Sequence, residues 1–200
     1  MISKLLLATN NKDKVTEIKK LLIKTGIEVL TLKDLNLNID IEEDKDTLEG
    51  NALKKAEEIY KTAGIPCSAD DTGLFVNALN GEPGVFSSRY AGENVSYSEN
   101  RVKLLLNMNR IPYEKRTAYF KTVLCFYNGG NNFYFFEGIC KGYITTEERG
   151  KKGFGYDAIF QPEGFDRTFA ELSIEEKNKI SHRAKAFNKF RKYLETPDNK

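Results

Sequence analysis

The runs Thr117 to Tyr127 and Phe133 to Ile144 are rich in aromatic and β-branched residues, and only Asn128-Gly129-Gly130-Asn131-Asn132 separates them. Side chains of that type favour extended backbone, and a Gly- and Asn-rich break between two such runs marks a chain reversal. The spacing predicts a long β-hairpin, which commits the middle of the chain to sheet.

The first part of the chain reads differently. Leu5-Leu6-Leu7-Ala8 has the continuous apolar character of a buried strand; Asn10, Asn11 and Asp13 interrupt it, and Val15, Ile18, Leu21 and Leu22 then recur at helical spacing. Gly26 is expected to end that helix and Ile27 to Leu32 to form a second strand, which opens an α/β arrangement with a parallel pair. After the acidic stretch Asp40 to Glu49, the residues Ala52, Ala56, Ile59, Tyr60 and Ala63 mark one helix face. Gly64 and Pro66 terminate it before a short strand, Cys67 to Ala69, that runs into Asp70-Asp71.

Beyond the Gly- and Pro-rich segment Asn80 to Gly84, a helix is expected over Ser96 to Met108, containing Val102, Leu105 and Leu106. The glycine-rich loop Gly150 to Gly155 is expected to lead into a strand at Tyr156 to Phe160. Ser173 and Glu176 have capping-box spacing, and Ser181 is read as beginning a last helix that turns Phe187, Phe190 and Leu194 inward. Residues 1–195 read as a single domain and 196–200 as a frayed tail, with no repeat or linker between.

Composition removes several function classes. Two hundred residues with 40% hydrophobic content can bury a full core. Lys and Arg total 31 against 29 Asp and Glu, so the net charge of +2 gives no bulk field toward nucleic acid or an anionic membrane. No stretch approaches the roughly 20 apolar residues of a membrane span. Cys67, Cys125 and Cys140 form no CxxC pair, which points to a reduced, cytoplasmic setting rather than a disulfide framework or zinc site.

Three groups of residues carry possible chemistry. Glu42, Glu43, Asp44 and Asp46 precede one helix, and Asp70-Asp71 follow a strand, the place where α/β sheets hold ligands; their hard oxygens suit Mg²⁺. An acidic run alone is more often a solvated loop, but two acids ending the strand Cys67-Ser68-Ala69 are hard to explain by solvation alone, although turn chemistry with Thr72-Gly73 can account for one of them. The turn Thr9-Asn10-Asn11-Lys12-Asp13-Lys14 offers hydroxyl, amide and ammonium groups at a helix start, a natural phosphate site, although Asn and Asp there are also ordinary caps. No GxxxxGK[ST] sequence is present, which disfavours a P-loop NTPase. Lys177, His182 and Arg183 carry donors suited to a base carbonyl or phosphate, and the aromatic residues of Phe154-Gly155-Tyr156-Asp157 either stack on a base or seal a strand edge.

In this order, the blocks Ala8 to Lys14, Thr47 to Ala52, Ala69 to Leu74, Pro83 to Gly92, Gly153 to Asp157 and Glu176 to Arg183 resemble the inosine triphosphate pyrophosphatase, or Ham1, family over Leu5 to about Leu194. The resemblance implies an elongated, two-lobed α/β fold around a long mixed β-sheet with flanking helices and a nucleotide cleft between the lobes. It implies hydrolysis of non-standard purine nucleoside triphosphates (ITP, dITP, XTP) to the monophosphate and pyrophosphate, cleansing the nucleotide pool, by a protein that is commonly a homodimer. Carried over, it assigns Thr9, Asn10, Asn11, Lys12, Asp13 and Lys14 to the triphosphate. Mg²⁺ falls to Asp71 with Glu42 or Glu43, and Asp71 is the base for water. Thr72 stands where the family has serine. Phe154, Gly155, Tyr156, Asp157 and Lys177 line the nucleotide, and His182 with Arg183 reads the purine.

Two positions depart from the family pattern: Asn10 replaces a glycine, and Gly50 stands where glutamate often precedes asparagine. A Maf-type pyrophosphatase acting on pyrimidine or modified nucleotides is disfavoured by Ser181-His182-Arg183. An inert nucleotide sensor is opposed by the retention of Asp70 and Asp71.

Overall fold

The computed structural model describes residues 2–23 and 25–196. In chain order its elements are β1 (Lys4–Leu7), α1 (Lys12–Leu22), β2 (Glu28–Thr31), α2 (Leu48–Ala63), β3 (Cys67–Val76), β4 (Pro83–Gly84), α3 (Tyr97–Asn107), β5 (Thr117–Tyr127), β6 (Phe133–Ile144), β7 (Phe160–Pro162), α4 (Ile174–Ile180) and α5 (His182–Glu195). The strands form a mixed sheet in the order β2-β1-β3-β5-β6-β7, with β4 beside β3. β1 is parallel to both β2 and β3, with Leu6 opposite Leu30 and Cys67, whereas β4 is antiparallel to β3 and β7 to β6. The expected hairpin is present as β5 and β6, its turn closed by the Asn128 N–H to Asn132 O at 2.9 Å.

The chain divides into two compact units: Met1–Asp71, Thr122–Gly138 and Arg183–Lys200 in one, Thr72–Lys121 and Ile139–His182 in the other. In the first unit β1 is apolar from Leu5 to Leu7 because both of its faces are covered there. Leu5 and Leu7 pack with Ile18 and Leu22 of α1 and with Phe187 and Phe190 of α5. Leu6 and Ala8 face the other way, onto Ala52, Ala56 and Ile59 of α2. Successive strand side chains alternate between faces, so a strand buried on both reads as an unbroken apolar run. Leu5, Leu6 and Leu7 are at most 1% exposed, and burial of each contributes about 1.5–3 kcal/mol.

The second unit has its own core. Leu74, Leu104, Met108, Phe120, Ile144, Phe160 and Phe169 form it, with the Phe120 and Phe160 rings edge to face at 4.7 Å. Arg116, almost fully buried, donates to the carbonyls of Met108, Ile144 and Thr145 at 2.7 to 2.8 Å. It ties the end of β6 to the turn after α3.

Several sequence expectations change in detail. The short strand Cys67 to Ala69 continues to Val76. The strand expected at Tyr156 to Phe160 is instead a 3₁₀ turn at Asp157–Ile159, closed by the Asp157 N–H to Phe154 O and the Ile159 N–H to Tyr156 O, so that extended structure begins at Phe160. α1 ends at Leu22, and Gly26, with φ of +71°, belongs to the turn before β2 rather than to a helix cap. Val102 and Leu106 of α3 face solvent, while Leu104 and Met108 are buried. Ser181 has extended φ and ψ and donates its N–H to Lys177 O, which closes α4; α5 therefore begins one residue later, at His182. The Ser173–Glu176 capping box is present. The expected tail lies outside the described residues after Thr196. Among the described residues no helix is long and apolar enough to cross a membrane.

Candidate active site

Asp70 and Asp71 follow Ala69 on β3, and strand alternation sends them to opposite faces. Ala69 belongs to the α2 side of the first unit, so Asp71, two residues on, shares that side and Asp70 takes the other. Asp70 Oδ2 lies 3.1 Å from Lys14 Nζ of α1 and 3.3 Å from Arg183 Nη2 of α5. Arg183 Nη1 in turn lies 2.6 Å from Glu17 Oε2. Asp71 Oδ1 lies 3.1 Å from Lys55 Nζ, and its Oδ2 accepts from Asn51 Nδ2 at 3.2 Å. Asn51 and Lys55 stand four residues apart, on one face of α2.

These surroundings drive the two acids apart. Burial opposes ionisation of Asp70, but Lys14, Arg183 and Lys55 outweigh it and hold the carboxyl well below the usual carboxylate range. Burial dominates at Asp71 and, with the charge of Glu43, raises its carboxyl despite Lys55 and Lys14. Lys14 is lowered by its burial, which the Asp70 charge only partly offsets. Lys55 is also penalised by burial, yet Asp71 and Glu43 raise it overall and keep it an ammonium.

Lys55 Nζ is the hub of the α2 side. It contacts Glu43 Oε1 at 2.8 Å, Asp71 Oδ1 at 3.1 Å and the Asp70 carbonyl at 2.9 Å. Glu43 and Asp71 therefore converge on one cation. Glu42 is exposed and its carbonyl accepts from Lys54, while Asp44 pairs with Lys54 and Lys45. Among the described residues no three His, Cys, Asp or Glu side chains gather as a ready-made metal cage. Two carboxylates and a carbonyl already converging on a positive charge are nonetheless the donor chemistry that a hard divalent cation requires.

The acidic segment is held there by the start of α2. Thr47 Oγ1 accepts the Gly50 N–H as N-cap. Asn51 accepts the Lys45 N–H at 2.9 Å and donates to the Lys45 carbonyl at 3.3 Å. A Cβ at Gly50 would stand 2.9 Å from Lys45 Cβ, so glycine at this position lets the segment fold back closely.

At the Thr9 to Lys14 turn, Asn11 caps α1, its Oδ1 accepting from the N–H groups of Asp13 and Lys14. Thr9 Oγ1 accepts from the Asn11 N–H. Lys14 reaches Asp70, while Lys12 and Asp13 remain at the surface. Asn10 has no positive φ, so it is accommodated where the family pattern has glycine, and its Nδ2 ties the turn to the Ile39 carbonyl at 2.8 Å.

In the second unit Lys177 Nζ lies 2.7 Å from Asp157 Oδ2 and stands over the rings of Phe154 at 5.0 Å and Phe169 at 5.4 Å. Asp157 Oδ2 also accepts the Phe154 N–H at 2.9 Å, and a Cβ on Gly153 would collide with that carboxylate. Tyr156 Oη donates to the Ser87 carbonyl at 2.8 Å. The His182 ring stacks on Phe120 with centroids 4.4 Å apart, and Thr72 is half-buried on β3.

The structure thus brings together Glu43, Asp70, Asp71, Lys14 and Arg183 in one unit, and Phe154, Asp157 and Lys177 in the other. Sequence reasoning gave no role to Lys55, Asn51 or Glu17. The i, i+4 spacing of Asn51 and Lys55 beside a predicted metal segment was the one available signal for the first two.

A family model described as the Ham1 family matches residues 5–193. The chain belongs to the Ham1 family. Ham1 structures share its fold: the HAM1 protein of Coxiella burnetii, 38% identical, superposes with a TM-score of 0.87, covering 98% of this chain and 99% of that one. The Staphylococcus aureus Ham1 protein, also 38% identical, gives 0.84 over 96% and 98%. The chain is 47% identical over 193 residues to a dITP/XTP pyrophosphatase of Caldanaerobacter subterraneus subsp. tengcongensis, covering 96% of each chain. It is 50% identical over 183 residues to one from Flavobacterium johnsoniae, covering 92% of this chain and 93% of that one.

Proposed function

We propose that this protein is a nucleoside triphosphate pyrophosphatase that hydrolyses ITP, dITP and XTP to the nucleoside monophosphate and pyrophosphate. The observation that carries the reading is the split between the adjacent acids. Asp70 is locked as an anion by Lys14 and Arg183, while burial and the charge of Glu43 raise the carboxyl of Asp71 above its ordinary value. Two carboxyls pushed apart by their surroundings divide the labour, the raised one acting as base and the locked one as anchor.

Asp71 orients the attacking water and accepts its proton as the water adds to the α-phosphorus and pyrophosphate departs. Lys14, presented by the capped turn at Thr9 to Asn11 and fixed by Asp70, neutralises charge on the triphosphate, and the N-terminus of α1 adds the positive end of its dipole. Lys55 holds Asp71 and Glu43 in register and adds positive charge beside the reacting phosphate. Asp71 and Glu43, rather than the exposed Glu42, are the residues that would hold Mg²⁺. When bound, Mg²⁺ neutralises phosphate charge and lowers the pKa of water.

The base is assigned to Phe154, Tyr156, Asp157, Lys177 and His182. Hypoxanthine and xanthine present a 6-oxo acceptor to donors such as Lys177 and His182; adenine presents a 6-amino donor, which cannot pair with a donor. An unsatisfied buried donor costs about 1–3 kcal/mol. Arg183, held by Glu17 and Asp70, supports the site through Asp70. A cytoplasmic homodimer completes the proposal, in keeping with the reduced, buried cysteines and the family resemblance.

The test is incubation with Mg²⁺ and ITP, XTP, GTP or ATP, followed by phosphorus NMR, with Asp71→Asn as control. Monophosphate and pyrophosphate from ITP and XTP, absent in the variant, are the expected result. Diphosphate with orthophosphate would refute the chemistry, turnover confined to pyrimidine nucleotides would favour a Maf-type activity, and binding without turnover would favour a sensor.

A further inference from the structure

The glycine-rich loop of the second unit is fastened at three consecutive residues by three different groups. The Phe154 N–H donates to Asp157 Oδ2 at 2.9 Å, the Gly155 carbonyl accepts from Arg101 Nη1 at 2.8 Å, and Tyr156 Oη donates to the Ser87 carbonyl at 2.8 Å. Gly153 and Gly155, on either side of Phe154, have φ of +74° and +59°. Glycine enters that region freely, so the covalent chain alone does not fix the direction of the Phe154 ring. External contacts must.

Arg101, like Ser87, is a contact supplied from outside the loop's own motif. It lies on α3, and its Nε stands 2.9 Å from Glu148 Oε1 as an ion pair while Nη1 donates to the loop. A planar fork can serve two acceptors in different directions, which a lysine cannot do with the same rigidity. Tyr97, one turn earlier on α3, brings its ring to 6.1 Å from that of Phe154. The same helix face therefore meets both the carbonyl after Phe154 and the ring itself.

We infer that Arg101 is a positioning residue that fixes the Gly155 carbonyl and thereby the angle at which Phe154 presents its ring to the purine. The inference rests on the reading of Phe154 as a base-stacking residue. Arg101 touches no reacting atom, so its contribution lies in binding the base and in discriminating between bases, not in the phosphorus chemistry.

Steady-state kinetics of Arg101→Gln, Phe154→Ala and the double variant test this with ITP as substrate. Arg101→Gln should raise KM about 3- to 10-fold, the scale of one ordinary lost hydrogen bond, with kcat within about twofold. In the Phe154→Ala background the same substitution should change KM by less than about twofold, because the ring it orients is gone. Glu148→Gln, which loosens Arg101 from its other edge without touching the loop, should raise KM in the same direction by a smaller factor. An unchanged KM in Arg101→Gln, or an equal rise with and without Phe154, would overturn the inference and leave Arg101 a purely structural residue. If Phe154→Ala alone leaves KM unchanged, the base-stacking reading fails first, and the inference falls with it.

Discussion

Asp70 and Asp71 are consecutive in the chain yet answer to different cations: Asp70 Oδ2 lies 3.1 Å from Lys14 Nζ, and Asp71 Oδ1 lies 3.1 Å from Lys55 Nζ. Strand alternation is the whole cause of the division, since one residue faces α1 and α5 and the next faces α2. The division can be read by titration.

In the metal-free protein, carbon-13 NMR of the aspartate carboxyls should show Asp71 titrating above the usual value of about 3.9 and Asp70 well below it. Asp70 is lowered in the folded state, so its contribution to stability is present above about pH 4 and is lost as pH falls toward its folded value. Asp71 is raised, so its ionisation opposes folding, and the native state gains from this group as pH falls through its folded value. Added Mg²⁺ should move the Asp71 midpoint down and leave Asp70 in place. Coincident titrations would refute the assignment of base and anchor.

Lys55→Met should cut kcat by at least about 100-fold, because the lost ammonium registers Asp71 against Glu43 and, in the proposed mechanism, adds positive charge beside the reacting phosphate. Product identity should not change. A turnover within threefold of the parent protein would show that Lys55 only balances charge in the absence of ligand.

The Glu17–Arg183 pair offers a test of stability rather than activity. Both side chains are at most 6% exposed, and removing Glu17 leaves the buried Arg183 with Asp70, an acid it shares with Lys14. Glu17→Ala should lower the unfolding free energy by about 1.5–3 kcal/mol, read as a fall in the urea midpoint at unchanged m-value. A loss below about 1 kcal/mol would mean that water replaces the carboxylate.

Much of this was legible in the sequence, and what was not has a physical reason. The unbroken apolar run Leu5 to Ala8 and the hairpin turn at Asn128 to Asn132 are local signals, and the structure follows them. Asp71 drew notice in the sequence because two adjacent acids ending a strand are hard to explain by solvation alone, although turn chemistry with Thr72-Gly73 accounts for one of them. Lys55 drew none, since a lysine within an amphipathic helix looks like any solvated cation until the fold brings Glu43 and Asp71 to it. The strand expected at Tyr156 to Phe160 yielded to a turn because the Asp157 side chain accepts the Phe154 N–H, a competition between side chain and ladder that apolar periodicity does not register. Val102 and Leu106 show the reverse limit, apolar residues at helical spacing that nevertheless face solvent.

The cysteines provide a check on burial that is independent of catalysis. Burial pushes the thiols of Cys67 and Cys125 up to about 12, and neither is accessible to solvent. Only the thiolate attacks disulfides and alkylating agents, and a thiol with a value near 12 is ionised at about one part in 10⁴ or less at pH 8. Cys140 is 4% exposed. The native protein should therefore react with a thiol-specific disulfide reagent at pH 8 only on the timescale of its opening, and should release its full complement of thiols at once in guanidinium chloride. Addition of ITP without Mg²⁺ should slow the native reaction further, because a ligand bound to the folded state suppresses opening by mass action. Rapid labelling of Cys67 or Cys125 in the folded protein would show that the α2 side of the first unit opens far more readily than its packing requires, and the rigid placement of Asp71 would fall with it.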